Sequence, residues 1–421
     1  MAETAQNVGG STMRIEWKAL ATALVLGAAL SAPMPASAQD AHDLAAAITQ
    51  GKPILEFRPR YEDVSQDGVA DGEALTVRSR LGWETAQYQG FKALIEIEDV
   101  HHLGSRHFND GVPPAEPYAT ISDPDVTEIN RAQLSWAANQ HLNFTFGRQR
   151  ILFDDQRFVG PSPWRQDEQT FDGARADASF GAFKATYVYV DRVNRVLGDK
   201  LDWHGDLHLF NASYTVAPTV KLTGFAYLLD FDRPTPAVAQ SSETLGVRVT
   251  GAFALAPVRF EYAASYARQQ DYGDNPASFD LGYTEVELTA NYGQFGARLM
   301  YEKLEGNGVR GFSTPLASLH PFNGWAGVFG TTPANGLRDV NVMGVWRAPF
   351  HAEHLSNIVF TVREHDFEAE RTGVDLGHET DAQATASITP RLTALAKVAD
   401  YDGTGAPPDT TRVWVGFEWK L

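Results

Sequence analysis

Arginines two residues apart recur in the first half of this chain: Arg58 and Arg60, Arg78 and Arg80, Arg148 and Arg150, with Arg131 and Arg175 nearby. A guanidinium is a permanent, planar cation whose fork can pair both oxygens of one carboxylate. Placed in series, such groups suit repeated, reversible contact with carboxylates. They do not suggest covalent catalysis. Other candidates for chemistry are weaker. No G-x-S-x-G occurs, and no nucleophile stands beside a base, so neither an enzyme nor a cofactor is expected. GNGVRG at 306–311 fits a nucleotide-loop pattern but lies in a loop with no helix after it. His101, His102 and His107 have nothing to fix them as metal ligands, and DYDG at 400–403 reads better as a turn than as a calcium loop, so no metal is expected.

The elements that must position the arginines alternate with period two. Val413, Val415, Phe417, Trp419 and Leu421 interleave with Arg412, Trp414, Gly416, Glu418 and Lys420; Phe260, Tyr262, Ala264 and Tyr266 do the same with Arg259, Glu261, Ala263 and Ser265. About eighteen such segments run from residue 52 to 421, each about ten residues long, the length a tilted strand needs to cross a bilayer. Every second connection is tight, as in QYQG, AANQ, VAPT, LAPV and NYGQ; the others are long, as at 105–124, 154–168 and 306–335. Alternating short and long links describe an all-β transmembrane antiparallel barrel, with short periplasmic turns and long extracellular loops. Closing the sheet removes edges that lipid could not satisfy. A β-sandwich or propeller would have to bury the ionisable residues of the polar face in its core. Trp83, Tyr88, Trp136, Tyr214, Tyr292 and Trp419 fall near short turns, where an aromatic girdle belongs.

Composition agrees. A basic stretch from Arg14 to Lys18, the apolar run ALATALVLGAAL and small residues at Ala36 and Ala38 predict a signal peptide over 1–38. Residues 39–51 follow as a periplasmic segment, either a short helix or a plug, and 52–421 form a single barrel domain. The chain has no cysteine, so disulfides do not stabilise it. A net charge of −18 argues against nucleic acid as a partner.

If the apolar alternates face lipid, Glu56, Arg58, Arg60 and Glu62 face the lumen, as do Arg78, Arg80, Glu84, Arg131, Gln133, Arg175, Asp177, Lys184 and Arg192. Glu261, Glu285, Glu287, Glu379 and Asp381 collect on later strands. The expectation is one basic wall, into which Glu96 and Glu98 intrude, facing an acidic one; the alternative is that these charges only pair across strands. One stretch breaks the pattern. In HLNFTFGRQRILFDDQRFVG, Phe144 and Phe146 set the lipid side, and strict alternation puts Arg148 and Arg150 with them. A guanidinium in mid-membrane costs several kcal/mol, so a β-bulge at Gly147 is expected, turning Arg148 and Arg150 inward.

GRQRILFDDQRFVG with QTFDGARAD, and later TPLASLHPFNGWAGVFGTTPANGLRD, resemble the alginate export family of outer-membrane proteins, over about Lys52 to Leu421. The resemblance implies a monomeric eighteen-strand barrel in the bacterial outer membrane whose arginine-lined lumen passes an anionic polysaccharide such as a polyuronate. It implies that Arg148, Arg150 and Arg175 line a constriction, with Asp154, Asp155 and Asp177 set against them. It also implies an ordered external loop folding over or into the mouth at TPLASLHPFNGW. Expected partners are the saccharide, outer-membrane lipid, lipopolysaccharide and the barrel assembly machinery. The chain is short for the family, which leaves a general or small-anion-selective uptake porin as the alternative.

Overall fold

The computed structural model describes residues 40–421 except 105, 235, 350–354 and 406; the predicted signal peptide lies outside the described residues. A short helix, α1 (Leu44–Thr49), precedes eighteen strands. These are β1 (Lys52–Gln66), β2 (Gly72–Glu84), β3 (Phe91–His102), β4 (Val126–Ala137), β5 (Leu142–Gln149) and β6 (Thr170–Phe180). Next come β7 (Phe183–Asn194), β8 (Trp203–Ala217), β9 (Val220–Phe231), β10 (Ser242–Leu255), β11 (Val258–Asp271) and β12 (Asp280–Tyr292). The last six are β13 (Phe295–Leu304), β14 (Leu337–Arg347), β15 (Ser356–Glu368), β16 (Asp375–Thr389), β17 (Leu392–Asp402) and β18 (Thr410–Lys420). Each pairs antiparallel with its chain neighbours, and β18 closes on β1 with Phe57 opposite Trp419 and Arg60 opposite Gly416. The sheet has no free edge.

Alternation makes this surface two-sided. Leu81, Ile95, Ile97, Leu134, Phe146, Val247, Val286, Leu299, Val342 and Val415 are exposed on the outside, where lipid covers them. Aromatic pairs near the short-turn ends form the expected girdle: Phe57 with Trp419 (6.1 Å), Trp136 between Phe91 and Phe144 (both 5.7 Å), and Trp346 with Phe360 (5.5 Å). Tyr214 and Tyr292 are exposed there too. Residues 40–51 are not a plug. α1 packs on the β2–β3 turn, with Ala86 N–H donating to Ala47 O (2.9 Å) and Trp83 Nε1 to Ile48 O (2.9 Å).

Two long loops turn inward and build a core inside the barrel. Ile151, Phe153 and Val159 come from loop 150–169, and Phe312, Leu316, Trp325, Ala326 and Phe329 from loop 305–336. They pack on the apolar inner face of β7–β13, including Val188, Val190, Leu207, Leu209, Tyr227, Leu281 and Tyr283. An irregular apolar stretch needs walls, because its unpaired backbone groups must find partners. The loops supply some to each other: Val159 bridges Leu316, and Gly160 N–H reaches Leu316 O at 2.9 Å.

Candidate functional site

The inner faces of β1 and β2 carry the arginine row at the expected places. In register, Arg58 lies opposite Arg78, and Glu56 opposite Arg80. The row is paired. Arg78 lies within 3.2 Å of Glu56 and 3.1 Å of Glu418, and Arg80 contacts Glu98, with Glu168 at 2.6 Å. Arg60 is buried against Asp123 and 3.7 Å from Glu62. Arg58 differs: it donates to Gln166 Oε1 (2.8 Å) and to the carbonyls of Pro163, Trp164 and Arg165, all uncharged acceptors.

Arg131 continues the wall on β4, and a bulge sets its geometry. Glu96 pairs with Arg131 and Ile97 with Ile129, which leaves Asn130 as an extra residue. Asn130 and Arg131 therefore both reach Glu96, at 2.8 Å and 2.7 Å. Arg150, just past the end of β5, turns inward to Glu96 (3.5 Å) and, within hydrogen-bonding distance, Glu168. Burial alone would raise the Glu168 carboxyl, but Arg80 and Arg150 more than offset it and hold its pKa at about 2.

Arg148 corrects the expectation of a bulge at Gly147. Pairing runs through that position without a shift, Gln133 opposite Gly147 and Ala132 opposite Arg148, then Gly147 opposite Gly173. Gly147 is special in another way. Its φ is +101°, and a Cβ there would lie 2.2 Å from the Ala132 carbonyl oxygen. With register kept, Arg148 stays on the outer side with Phe146. Arg192, also expected inside, is turned out by an extra residue, Asp191, on β7. Both arginines avoid mid-membrane by lying next to the long-loop ends of their strands. They are also neutralised: Arg148 by Asp172 at 2.8 Å, Arg192 by Asp202 at 2.5 Å.

The acids divide similarly. Asp177 meets Arg175 at 2.8 Å, inside the barrel on β6, and also accepts from Thr186 (2.7 Å). Asp154 and Asp155 do not sit against Arg148, Arg150 or Arg175. Asp154 accepts from Asn211 on β8 (2.7 Å), and Asp155 pairs with Arg248 on β10 (2.8 Å). Burial holds the Asp155 carboxyl above the usual range, with Arg248 opposing. The reason is the loop: its turn carries both acids across the lumen to the far wall.

Sequence reading missed a second cluster. Lys397 Nζ on β17 lies over the rings of Trp325 (3.5 Å), Trp164 (4.1 Å) and Trp414 (5.4 Å), one from each inward loop and one from β18. His320 stacks on Trp164 at 4.2 Å and accepts from Lys397 at 2.5 Å. Lys397 and Trp414 were accessible from strand alternation; Trp164 and Trp325 had no periodic signal. Arg157 was missed for the same reason. It bonds Glu302 Oε1 at 2.6 Å and Asn323 at 3.1 Å, pinning loop 150–169 to β13 and to loop 305–336.

The alginate export family profile matches residues 55–284. The chain belongs to the alginate export family. GRQRILFDDQRFVG and QTFDGARAD lie inside the matched span; TPLASLHPFNGWAGVFGTTPANGLRD lies beyond it. Among curated protein sequences none matches. Among solved structures, OpdK of Pseudomonas aeruginosa, crystallised with vanillate, superposes with a TM-score of 0.72 at 13% identity, covering 89% of this chain and 99% of that one. OccAB2 of Acinetobacter baumannii gives 0.71 at 17% identity, with the same coverage. At such identities the likeness is one of fold. This member of the alginate export family is an eighteen-strand barrel of the bacterial outer membrane, with the architecture of a channel.

Proposed function

We propose that the barrel passes anionic saccharides, uronate-like in chemistry, along the wall formed by Arg58, Arg60, Arg78, Arg80, Arg131 and Arg150, working as a monomer. The observation that carries this reading is the arginine row on β1, β2 and β4, interrupted on β3 by Glu96 and Glu98, with Arg58 bound only to neutral oxygens and so adding positive charge to the wall. Arg175 with Asp177 extends the polar lining on β6. Arg60, Arg78 and Arg80 are almost fully buried against their acids, so the weak, exchangeable contacts that passage requires fall to the partly exposed Arg58, Arg131 and Arg150. The inward loops narrow the lumen and favour short saccharides over long polymers. Reconstituted in planar bilayers, the channel should prefer anions and be blocked from either side by oligouronates. Cation preference without block would overturn the proposal.

A second reading, a general or small-anion uptake porin, is favoured by the same narrowing. Liposome swelling with neutral and acidic sugars of graded size separates the two. Equal entry of both classes supports the general porin.

A further inference from the structure

α1 presents three distinct faces. Its buried face, Ala46 and Ala47, packs on the β2–β3 turn beside Tyr88. Asp43 caps its start by accepting from Ala46 N–H at 2.7 Å. Thr49 and Ala45 are exposed, and Thr49 Oγ1 bonds Ala45 O at 2.9 Å. The remaining face holds Leu44 and Ile48, four residues apart and so one above the other, and 61% and 50% exposed. Together they make a small apolar stripe open to its surroundings.

What covers them follows from where the helix is tied. Its Ile48 carbonyl accepts from Trp83, an outward residue of β2 two positions from Leu81, itself 63% exposed on the lipid side. Gly51, between α1 and β1, runs so close that a Cβ would sit 2.3 Å from Trp83 Nε1. The Leu44–Ile48 face therefore continues the lipid-facing belt past its aromatic edge. Two side chains are also far too little for a protein interface, which buries about 800 Å² per partner.

We infer that α1 lies in the headgroup–acyl boundary of the inner leaflet, with Leu44 and Ile48 entering the lipid, so that the segment before the barrel is a membrane-surface anchor. The absence of cysteine makes the test direct. L44C, I48C and T49C are each labelled with a small fluorophore and reconstituted in vesicles of phosphatidylethanolamine and phosphatidylglycerol, some carrying chains brominated near the headgroup. Heat-modifiable migration on gels verifies that each barrel is folded. Quenching by brominated lipid at 44 and 48 should exceed that at 49 at least twofold, with blue-shifted emission. Quenching at 44 and 48 no greater than at 49 would overturn the inference. So would labels shielded from aqueous iodide yet untouched by brominated lipid, since protein would then be the covering.

Discussion

Arg148 and Asp172 face each other across β5 and β6 in a two-point ion pair, Nε to Oδ1 at 2.8 Å and the terminal nitrogen to Oδ2 at 3.0 Å, on the outer side of the wall. A third donor reaches the Ile129 carbonyl at 2.8 Å. The pair fastens three strands where they meet the external rim. Arg148→Gln should leave ion selectivity unchanged. In a double-mutant cycle with Asp172→Asn, followed by urea unfolding, the coupling should be about 0.5–1 kcal/mol, as for a partly exposed pair.

Arg58 and Arg80 should respond differently. Arg58→Gln removes a cation without stranding an acid, so anion preference and oligouronate block should fall while folding stays intact. Arg80→Gln leaves Glu98 and Glu168 buried with one partner fewer, a loss of about 3–5 kcal/mol when a buried pair is broken. Thermal unfolding and bilayer selectivity, measured on both variants, check the contrast.

Gly147 should not tolerate a side chain. At φ +101°, with the Ala132 carbonyl oxygen only 2.2 Å from where a Cβ would stand, Gly147→Ala must strain the backbone or part β4 from β5. The expected cost is about 1–3 kcal/mol, read as a lower midpoint in urea. An unchanged midpoint would mean that the strand pairing shifts to accommodate the methyl group.

Docking of the loops should weaken on mild acidification, through His320. Burial pushes its pKa well down, with Lys397, Arg165, Arg60 and Arg412 adding to the effect. A depressed histidine contributes stability that is present above the unfolded value of about 6.5 and is lost as pH falls below it, by up to about 1.4 kcal/mol per pH unit. Glu168, held at about 2, gives up its contribution only below the ordinary carboxylate range. Between pH 7 and 5 current fluctuations should increase, and His320→Phe should flatten that dependence. A pH response unchanged in the variant would exclude His320.

The barrel was legible because alternation and loop-length rhythm are local, and each survives in the sequence strand by strand. The arginine row on β1, β2 and β4 was legible for the same reason. Asp154, Asp155, Glu168 and Arg157 were not, because an aperiodic loop determines their partners and its path depends on the apolar face of β7–β13. Arg148 shows a third case. Parity read it correctly, and the assumed bulge failed because depth along the strand, not side, resolves the cost of its charge.

The two inward loops are joined to each other as well as to the wall, through the Val159–Leu316 bridge, the Gly160 amide and the bonds from Arg157 to Thr314 and Asn323. Mechanically they form a single leaf rather than two shutters. One half cannot swing without tearing the shared seam, so the barrel should switch between two discrete current levels. Graded sublevels in single-channel records would mean that the leaf splits along that seam.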